Sequence, residues 1–278
     1  MAALDELVRY DGKHVVVTGC ASGIGACVAQ QLGHLGARVT GLDLRAPGDG
    51  SALAEFVEVD LADPDSVDTA AAAIDGEVDA LFNVAGVSSG IGDPLLVVRI
   101  DFLGMRQLTE ALIGRMPPGA SITSVSSLAA WDYRENAGTT MGLVGTSSVD
   151  DGLRWCAANP GALSDGGYRL AKEAIILYGM SRAVDLGARG IRINCTAPGV
   201  TLTPILDQLR SAYGQQYLDS FTAPLGRVSD AEEQASVVVF LGSQAASYLT
   251  GQVVSTDGGI SAQRFIAQVS DVHTTQGG

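Results

Sequence analysis

The chain has 278 residues, 46% of them hydrophobic, and 31 acidic against 17 basic side chains give it a formal charge of −14. So negative a surface, with no Lys/Arg run to offset it, repels phosphate backbones and anionic headgroups, which excludes nucleic acid and membrane surfaces as expected partners. At this length one α/β domain can bury about three quarters of its surface around a single core, so Cys20, Cys27, Cys156 and Cys195, with no C-x-x-C pair, are expected as reduced thiols.

The opening MAALDELVRY lacks a basic-then-apolar leader pattern, and no stretch reaches the roughly 18 apolar residues of a spanning helix, so a cytoplasmic protein is expected. His14–Thr18 predicts the first strand. Directly after it, Thr18-Gly19-Cys20-Ala21-Ser22-Gly23-Ile24-Gly25 leads into a helical pattern over Ile24–Leu35. Glycines suit a backbone that must turn with positive φ and let a pyrophosphate approach a helix N-terminus, and Gly19, Gly23 and Gly25 fit those needs. An ordinary glycine-rich connection has the same composition. A second strand, Ala37–Asp43, ends on a carboxylate that can accept from both ribose hydroxyls of an adenosine and repels a 2′-phosphate. That favours NAD over NADP, although Arg45 lies within reach of the same spot.

Strands at Phe56–Val59 and Ala80–Val84, with a helix over Pro64–Ile74 between them, bring Asp60, Leu61, Asn83, Ala85 and Gly86 to strand carboxyl ends, where doubly wound sheets place ligands. Asp60 would accept from an adenine amino group, and Asn83 and Gly86 would line the floor. Either is also a common turn former. A helical pattern over Pro94–Ile113 precedes a fifth strand, Ser121–Val125, which ends at Ser126 and Ser127, both able to donate to a carbonyl oxygen. Leu128–Gly167 breaks the rhythm. The helix Arg169–Leu186 follows, and at its start the spacing of four puts Tyr168 and Lys172 on one face, where a cation favours the phenolate that a hydroxyl-to-carbonyl reaction near neutral pH requires. The pair alone also matches an ordinary surface contact. Strands at Ile191–Thr196 and Val253–Ser255 flank a second irregular segment, Val200–Val228, and a helix over Asp230–Leu241. Strand and helix alternating in this way predict a parallel sheet wrapped on both faces, within one domain spanning 1–278. The tail after Gln263 carries no readable pattern, and His14, His34 and His273 lack metal-ligand spacing, so no metal is expected.

Jointly, TGCASGIG, NVAG, the strand end SVSS, YRLAK, APG followed by Thr203, and TDGG resemble the short-chain dehydrogenase/reductase family, in family order from about residue 12 to 260. The resemblance implies a Rossmann fold with about seven strands, Tyr168 as acid/base, Lys172 as its electrostatic partner and holder of the nicotinamide ribose, and Ser127 as stabiliser of the reacting oxygen. Ser126 is the fallback for a register one residue off. It also implies cofactor contacts from Gly19, Ser22, Gly23, Ile24, Gly25, Asp43, Asp60, Leu61, Asn83, Ala85, Gly86, Tyr168, Lys172, Pro198, Gly199, Thr201 and Thr203.

Two departures stand out. Asp101, in RIDFLG, occupies the place of the family's usual Asn, which the resemblance implies kinks this helix and anchors a water leading protons to the lysine. Asp101 is therefore carried as a catalytic candidate whose extra charge can alter the lysine's pKa. Ser127 and Tyr168 are 41 positions apart, far more than is usual. The longer spacing looks like bacterial 3α-hydroxysteroid dehydrogenase/carbonyl reductases and coniferyl-type alcohol dehydrogenases, which act on bulky apolar alcohols or ketones. The insertion supplies Trp131, Tyr133, Met141, Leu143, Val144, Leu153 and Trp155, either to a pocket for rings or as its own packing anchors. By obstructing the family's usual helix pairing, it turns the expected homodimer or homotetramer toward Asp230–Leu241 and the last strand. The function expected is NAD-dependent oxidation of a secondary or benzylic alcohol, against two rivals: a lyase or epimerase recycling bound NAD, and a catalytically silent dinucleotide-binding protein.

Overall fold

A computed structural model describes residues 3–48, 52–216 and 221–275. The strands are short and rich in β-branched residues, and β1 (His14–Thr18) is buried along its whole length, as a strand covered on both faces must be. Its side chains alternate between two cores: Val16 joins Leu42, Leu81, Ile122 and Ile193 on one face of the sheet. Val15 and Val17 join Val39, Phe82, Val28 and Leu32 on the other. β2 (Arg38–Asp43), β3 (Glu55–Glu58), β4 (Ala80–Asn83), β5 (Ser121–Val125), β6 (Arg192–Pro198) and β9 (Val253–Thr256) complete a sheet of seven strands in the order β3-β2-β1-β4-β5-β6-β9. Every pairing is parallel, so each connection crosses a face of the sheet. This is the doubly wound arrangement expected. The chain runs outward from β1 in one direction and from β4 in the other, which opens a crevice at the carboxyl ends of these two strands.

α1 (Leu4–Leu7) precedes β1; α2 (Gly23–His34) and the helix Ala231–Gly242 cover one face, and α3 (Pro64–Ala73), α5 (Met105–Ile113) and α8 (Tyr168–Ala188) the other. The helix expected as continuous over Pro94–Ile113 is divided: α4 (Pro94–Val98) passes into a π-helical stretch, Arg99–Gly104, before α5. A wider turn carries one extra residue and turns the side chains inside it. Gly104 permits it to settle on the chain after β3, where a Cβ would stand 2.0 Å from the Leu61 carbonyl oxygen.

The two segments outside the predicted rhythm contain regular elements among the described residues. Leu128–Gly167 contains α6 (Ala137–Val144) and α7 (Val149–Ala158). In 200–228, β7 (Thr201–Leu202) pairs with β8 (Ser229–Asp230) just beyond the segment, and α9 (Pro204–Tyr213) follows β7; residues 217–220 lie outside the described residues. The unreadable tail is a helix, Ile260–Thr275.

The insertion lies across α5 and α8, and polar groups fasten it there. Arg106, 7% exposed, donates to the Val144, Thr146 and Ser148 carbonyls. Glu173, fully buried on α8, accepts from Asn136 Nδ2 at 2.6 Å, Thr140 Oγ1 at 2.9 Å and Arg169 Nη1 at 3.4 Å. Tyr133 and Leu143 belong to the main core, Val144, Leu153 and Trp155 pack against it, and Met141 is exposed. All of these except Met141 therefore anchor the insertion to the body. Removing the Glu173 carboxylate strands the Asn136 and Thr140 donors inside. Glu173→Ala is expected to lose about 2–4 kcal/mol of stability, read as a lower urea midpoint, and to speed tryptic cleavage at the exposed Arg134.

Candidate active site

At the carboxyl end of β1 the backbone turns with φ of +76° at Gly19 and +55° at Gly23. The Gly19 N–H donates to the Leu42 carbonyl at 2.8 Å, and a Cβ on Gly25 would stand 2.0 Å from the Gly19 carbonyl oxygen, so the loop is folded back against the start of α2. Ser22 caps α2 without a side-chain hydrogen bond, and the turn of Ile24 and Gly25 follows at once. The helix thus presents its first backbone N–H groups and positive dipole end toward the crevice. Thr18, which sequence reasoning passed over, locks this turn to its neighbour: its Oγ1 accepts from the N–H groups of Val84 at 3.0 Å and Ala85 at 3.1 Å. A β-branched hydroxyl residue at the strand end was the available signal.

Asp43 is half-buried at the end of β2. Its Oδ2 accepts from the Ala21 N–H at 3.0 Å and its Oδ1 from the Arg45 N–H at 3.2 Å, while Arg45 itself is exposed. Asp60 uses Oδ1 in a local turn with the Ala62 N–H at 2.8 Å, and Leu61 beside it is buried. The Asn83 side chain points inward: it is 3% exposed and donates to Thr109 Oγ1 at 3.0 Å and Ser124 Oγ at 3.3 Å, tying β4 to α5 and β5. Ala85 and Gly86 are the partly open residues at that strand end.

The two serines differ in what they already bind. Ser126 is buried and donates to the Lys172 carbonyl at 2.7 Å. Ser127 is half-buried, and its Oγ accepts from the Ala129 N–H at 3.2 Å, which leaves its proton free to donate outward. Tyr168, the first residue of α8, is also half-buried, and the Lys172 ammonium lies 5.3 Å from its ring centroid. Lys172 reaches back 3.0 Å to Asp101 Oδ2 and donates to the Val125 carbonyl at 3.4 Å. Asp101 in turn accepts the Val87 N–H through Oδ1 at 2.8 Å. Burial works against charge on both partners. For Lys172 the adjacent Asp101, helped by Tyr168, more than offsets burial and holds the ammonium above its ordinary range. Enclosure pushes the Asp101 carboxyl up, against the pull of Lys172 and the Val87 N–H.

On the opposite lip, Gly199 follows β6 with no room for a side chain, since a Cβ would stand 2.8 Å from Asp257 Cα. Thr201 Oγ1 donates to the Gly199 carbonyl at 3.1 Å and pairs with Ser229 Oγ at 3.0 Å. Thr203 caps α9 close to the glycine turn, where a Cβ on Gly23 would meet its Cγ2 at 3.4 Å. Ser88 donates to Gln208 Oε1 at 3.2 Å and so joins α9 to the loop after β4; no motif pointed to that pair. Strand ends, the loops after them, α8 and the π-helical stretch thus bring the glycine turn, Asp43, Gly86, Ser127, Tyr168, Lys172, Asp101 and Thr203 to one end of the sheet. A cavity of about 350 Å³ between α3, α5 and α7, lined by Pro64, Leu103, Arg106, Gln107, Glu110 and Val149, contains none of them.

A hydroxyl donor and a phenol backed by an ammonium, where both reach one carbon-bound oxygen, can hold that oxygen and exchange its proton. Burial pushes the Cys20 and Cys195 thiols up to about 12 and Cys156 up to about 11, and it raises the Cys27 thiol as well, so the thiolate form is disfavoured at all four. Among the described residues no cluster of His, Cys, Asp and Glu could hold a metal ion, and no helix is long and apolar enough to cross a membrane.

The family model for short chain dehydrogenases matches residues 13–139, and that for enoyl-(acyl carrier protein) reductases matches residues 154–261. The chain is 36% identical over 258 residues to a coniferyl-alcohol dehydrogenase from a Pseudomonas species, covering 92% of this chain and 99% of that one. It is 30% identical over 257 residues to the 3-alpha-hydroxysteroid dehydrogenase/carbonyl reductase of Comamonas testosteroni, covering 89% and 96%. Among solved structures, the 3-alpha-hydroxysteroid dehydrogenase from Pseudomonas sp. B-0831 complexed with NADH superposes with a TM-score of 0.78 at 30% identity, over 91% of this chain and 98% of that one.

The turn itself can be tested by what each glycine excludes. Gly25→Ala forces a Cβ onto the Gly19 carbonyl and is expected to cost about 1–3 kcal/mol, whereas Gly23→Ala meets only ordinary contacts and is expected to cost about 1 kcal/mol for its positive φ. Chemical denaturation of the two variants side by side measures the difference.

Proposed function

The chain belongs to the short-chain dehydrogenase/reductase family and is an oxidoreductase, and from that premise we propose that it interconverts bulky apolar secondary or benzylic alcohols and their carbonyl compounds with NAD. The observation that carries this reading is the buried ammonium of Lys172 beneath the Tyr168 ring, at the same rim as a Ser127 hydroxyl whose proton is unclaimed.

The residues present fit a dinucleotide. The turn admits no Cβ at Gly25 and leads into uncapped helix N–H groups, the arrangement that suits a pyrophosphate. The nicotinamide supplies the hydride acceptor or donor. Asp43, held by the Ala21 and Arg45 N–H groups, presents a fixed negative charge that accepts from ribose hydroxyls and repels a 2′-phosphate, and this supports NAD over NADP. Asp60, Leu61, Ala85 and Gly86 would flank the adenosine side, and Pro198, Gly199, Thr201 and Thr203 the nicotinamide side. In the oxidative direction Ser127 donates to the substrate oxygen, Tyr168 takes the hydroxyl proton, and Lys172 keeps positive charge beneath the phenol and meets the ribose. In reduction Tyr168 returns that proton to the developing alkoxide.

The apolar substrate class is supported by the names of the relatives and by half-buried Trp131, four residues after Ser127, with Ile91 and Leu202 exposed near the rim. Because the insertion covers α5 and α8, we assign subunit pairing to the face formed by Ala231–Gly242 and β9.

Tyr168→Phe is expected to retain NADH binding by fluorescence and to lose alcohol-dependent NADH release by about three orders of magnitude or more. Undiminished release would refute the assignment, and an absence of net NADH release by the wild type across steroid and phenylpropanoid alcohols would favour a cofactor-recycling or silent protein. Asp43→Ser is expected to raise kcat/KM with NADP relative to NAD by about a hundredfold, which steady-state kinetics with both dinucleotides checks.

A further inference from the structure

Behind the proposed acid/base lies a carboxylate that the proton-transfer steps above do not use. Asp101 is 1% exposed and Lys172 5% exposed, and their 3.0 Å contact is enclosed by the loop after β4, the end of β5 and α8. The fit is close: a Cβ on Gly86 would stand 3.2 Å from both Asp101 oxygens and from Lys172 Nζ. Two of the three ammonium protons are directed at fixed acceptors, Asp101 Oδ2 and the Val125 carbonyl, which leaves the third for the Tyr168 side. Among the described residues the charged and titratable groups acting on Lys172 are Asp101 and Tyr168, and the one acting on Asp101 is Lys172. The neighbouring charges turn elsewhere: Arg106 on α5 binds the Val144–Ser148 carbonyls, and Glu173 on α8 binds Asn136, Thr140 and Arg169.

We propose that Asp101 is a positioning residue that holds Lys172 in a neutral buried ion pair and thereby sets the pH window of catalysis. This rests on the reading of Tyr168 and Lys172 given above. An ammonium alone beneath the phenol favours the deprotonated site that accepts an alcohol's proton; a carboxylate at 3.0 Å behind it cancels much of that field. The pair therefore fixes the position of Lys172 and places the oxidative reaction at higher pH than an uncompensated lysine would.

The test is the pH profile of kcat/KM for alcohol oxidation in the wild type, Asp101→Asn, Asp101→Glu and Tyr168→Phe. Asp101→Asn keeps the shape and an acceptor for the Val87 N–H while removing the charge. Its rise with pH is expected at least about one unit lower, with kcat/KM near pH 7 about tenfold higher than wild type, and Asp101→Glu is expected to keep the wild-type midpoint. A folded Asp101→Asn whose profile is unchanged or moved upward overturns the proposal. If Tyr168→Phe is inactive, that result leaves the acid/base reading standing; an active Tyr168→Phe overturns both. The wild type gives an independent readout should the variants fail to fold. The chain contains two lysines, Lys13 and Lys172, so carbon-13 labelling of lysine Cε yields two signals. The Lys172 signal is expected to keep its charged position up to about pH 10, and its titration near neutral pH would overturn the ion pair.

Discussion

A charge pair sealed from water ties together four segments that are far apart in the chain. Lys172 on α8 meets Asp101 on the π-helical stretch, Asp101 holds the Val87 N–H after β4, and Lys172 also reaches the Val125 carbonyl at the end of β5. Breaking such a pair leaves an uncompensated buried charge, which is costly enough that both groups are confined to one geometry. Tyr168 lies one helical turn before Lys172, and Ser127 two residues beyond Val125. The positions of both proposed reacting hydroxyls therefore follow from the same fixed point.

The side of the crevice proposed for the dinucleotide rests on close backbone approach rather than charge. β1 and β4 are neighbours in the sheet, and the loops leaving them meet so tightly that a Cβ on Gly19 would stand 2.9 Å from the Ala85 backbone, with Thr18 Oγ1 bridging the remaining gap. The crevice is a consequence of strand order: connections from β1 and β4 leave in opposite directions, and nothing in the sheet covers the space between them. Thr203 on the far lip then stands over the glycine turn, although 180 residues separate it from Gly23.

The insertion shows how burial redirects residues that a list cannot place. Its aromatic and aliphatic side chains suit a ring-binding pocket and a packing surface equally well by composition. Tyr133 and Leu143 go to the core, Trp155 packs against it, and Arg106 and Glu173 fasten the segment over α5 and α8. The insertion thereby occupies a helical face that would otherwise need another covering.

The seven strands, the helices between them, the positive-φ turn of TGCASGIG and the shared helical face of Tyr168 and Lys172 were legible because each depends on local rules: β-branched runs, glycines where φ is positive, and a spacing of four on a helix. Two helices inside Leu128–Gly167, the helix over Ile260–Thr275 and the π-helical break in Pro94–Ile113 were not legible. α6 forms against α8 and α7 against the π-helical stretch, the helix over Ile260–Thr275 leaves most of its described side chains exposed and so shows no strong apolar stripe, and a wide turn leaves no periodic trace. At the site, the sequence alone identified Tyr168, Lys172 and Asp101 as residue types. Only the tertiary structure decided that Ser126 is spent on the Lys172 carbonyl while Ser127 is not, that Asn83 faces the interior, and that Asp101 and Lys172 touch. Periodicity tells which side of an element faces inward, whereas the partner it meets there is set by how elements distant in sequence pack.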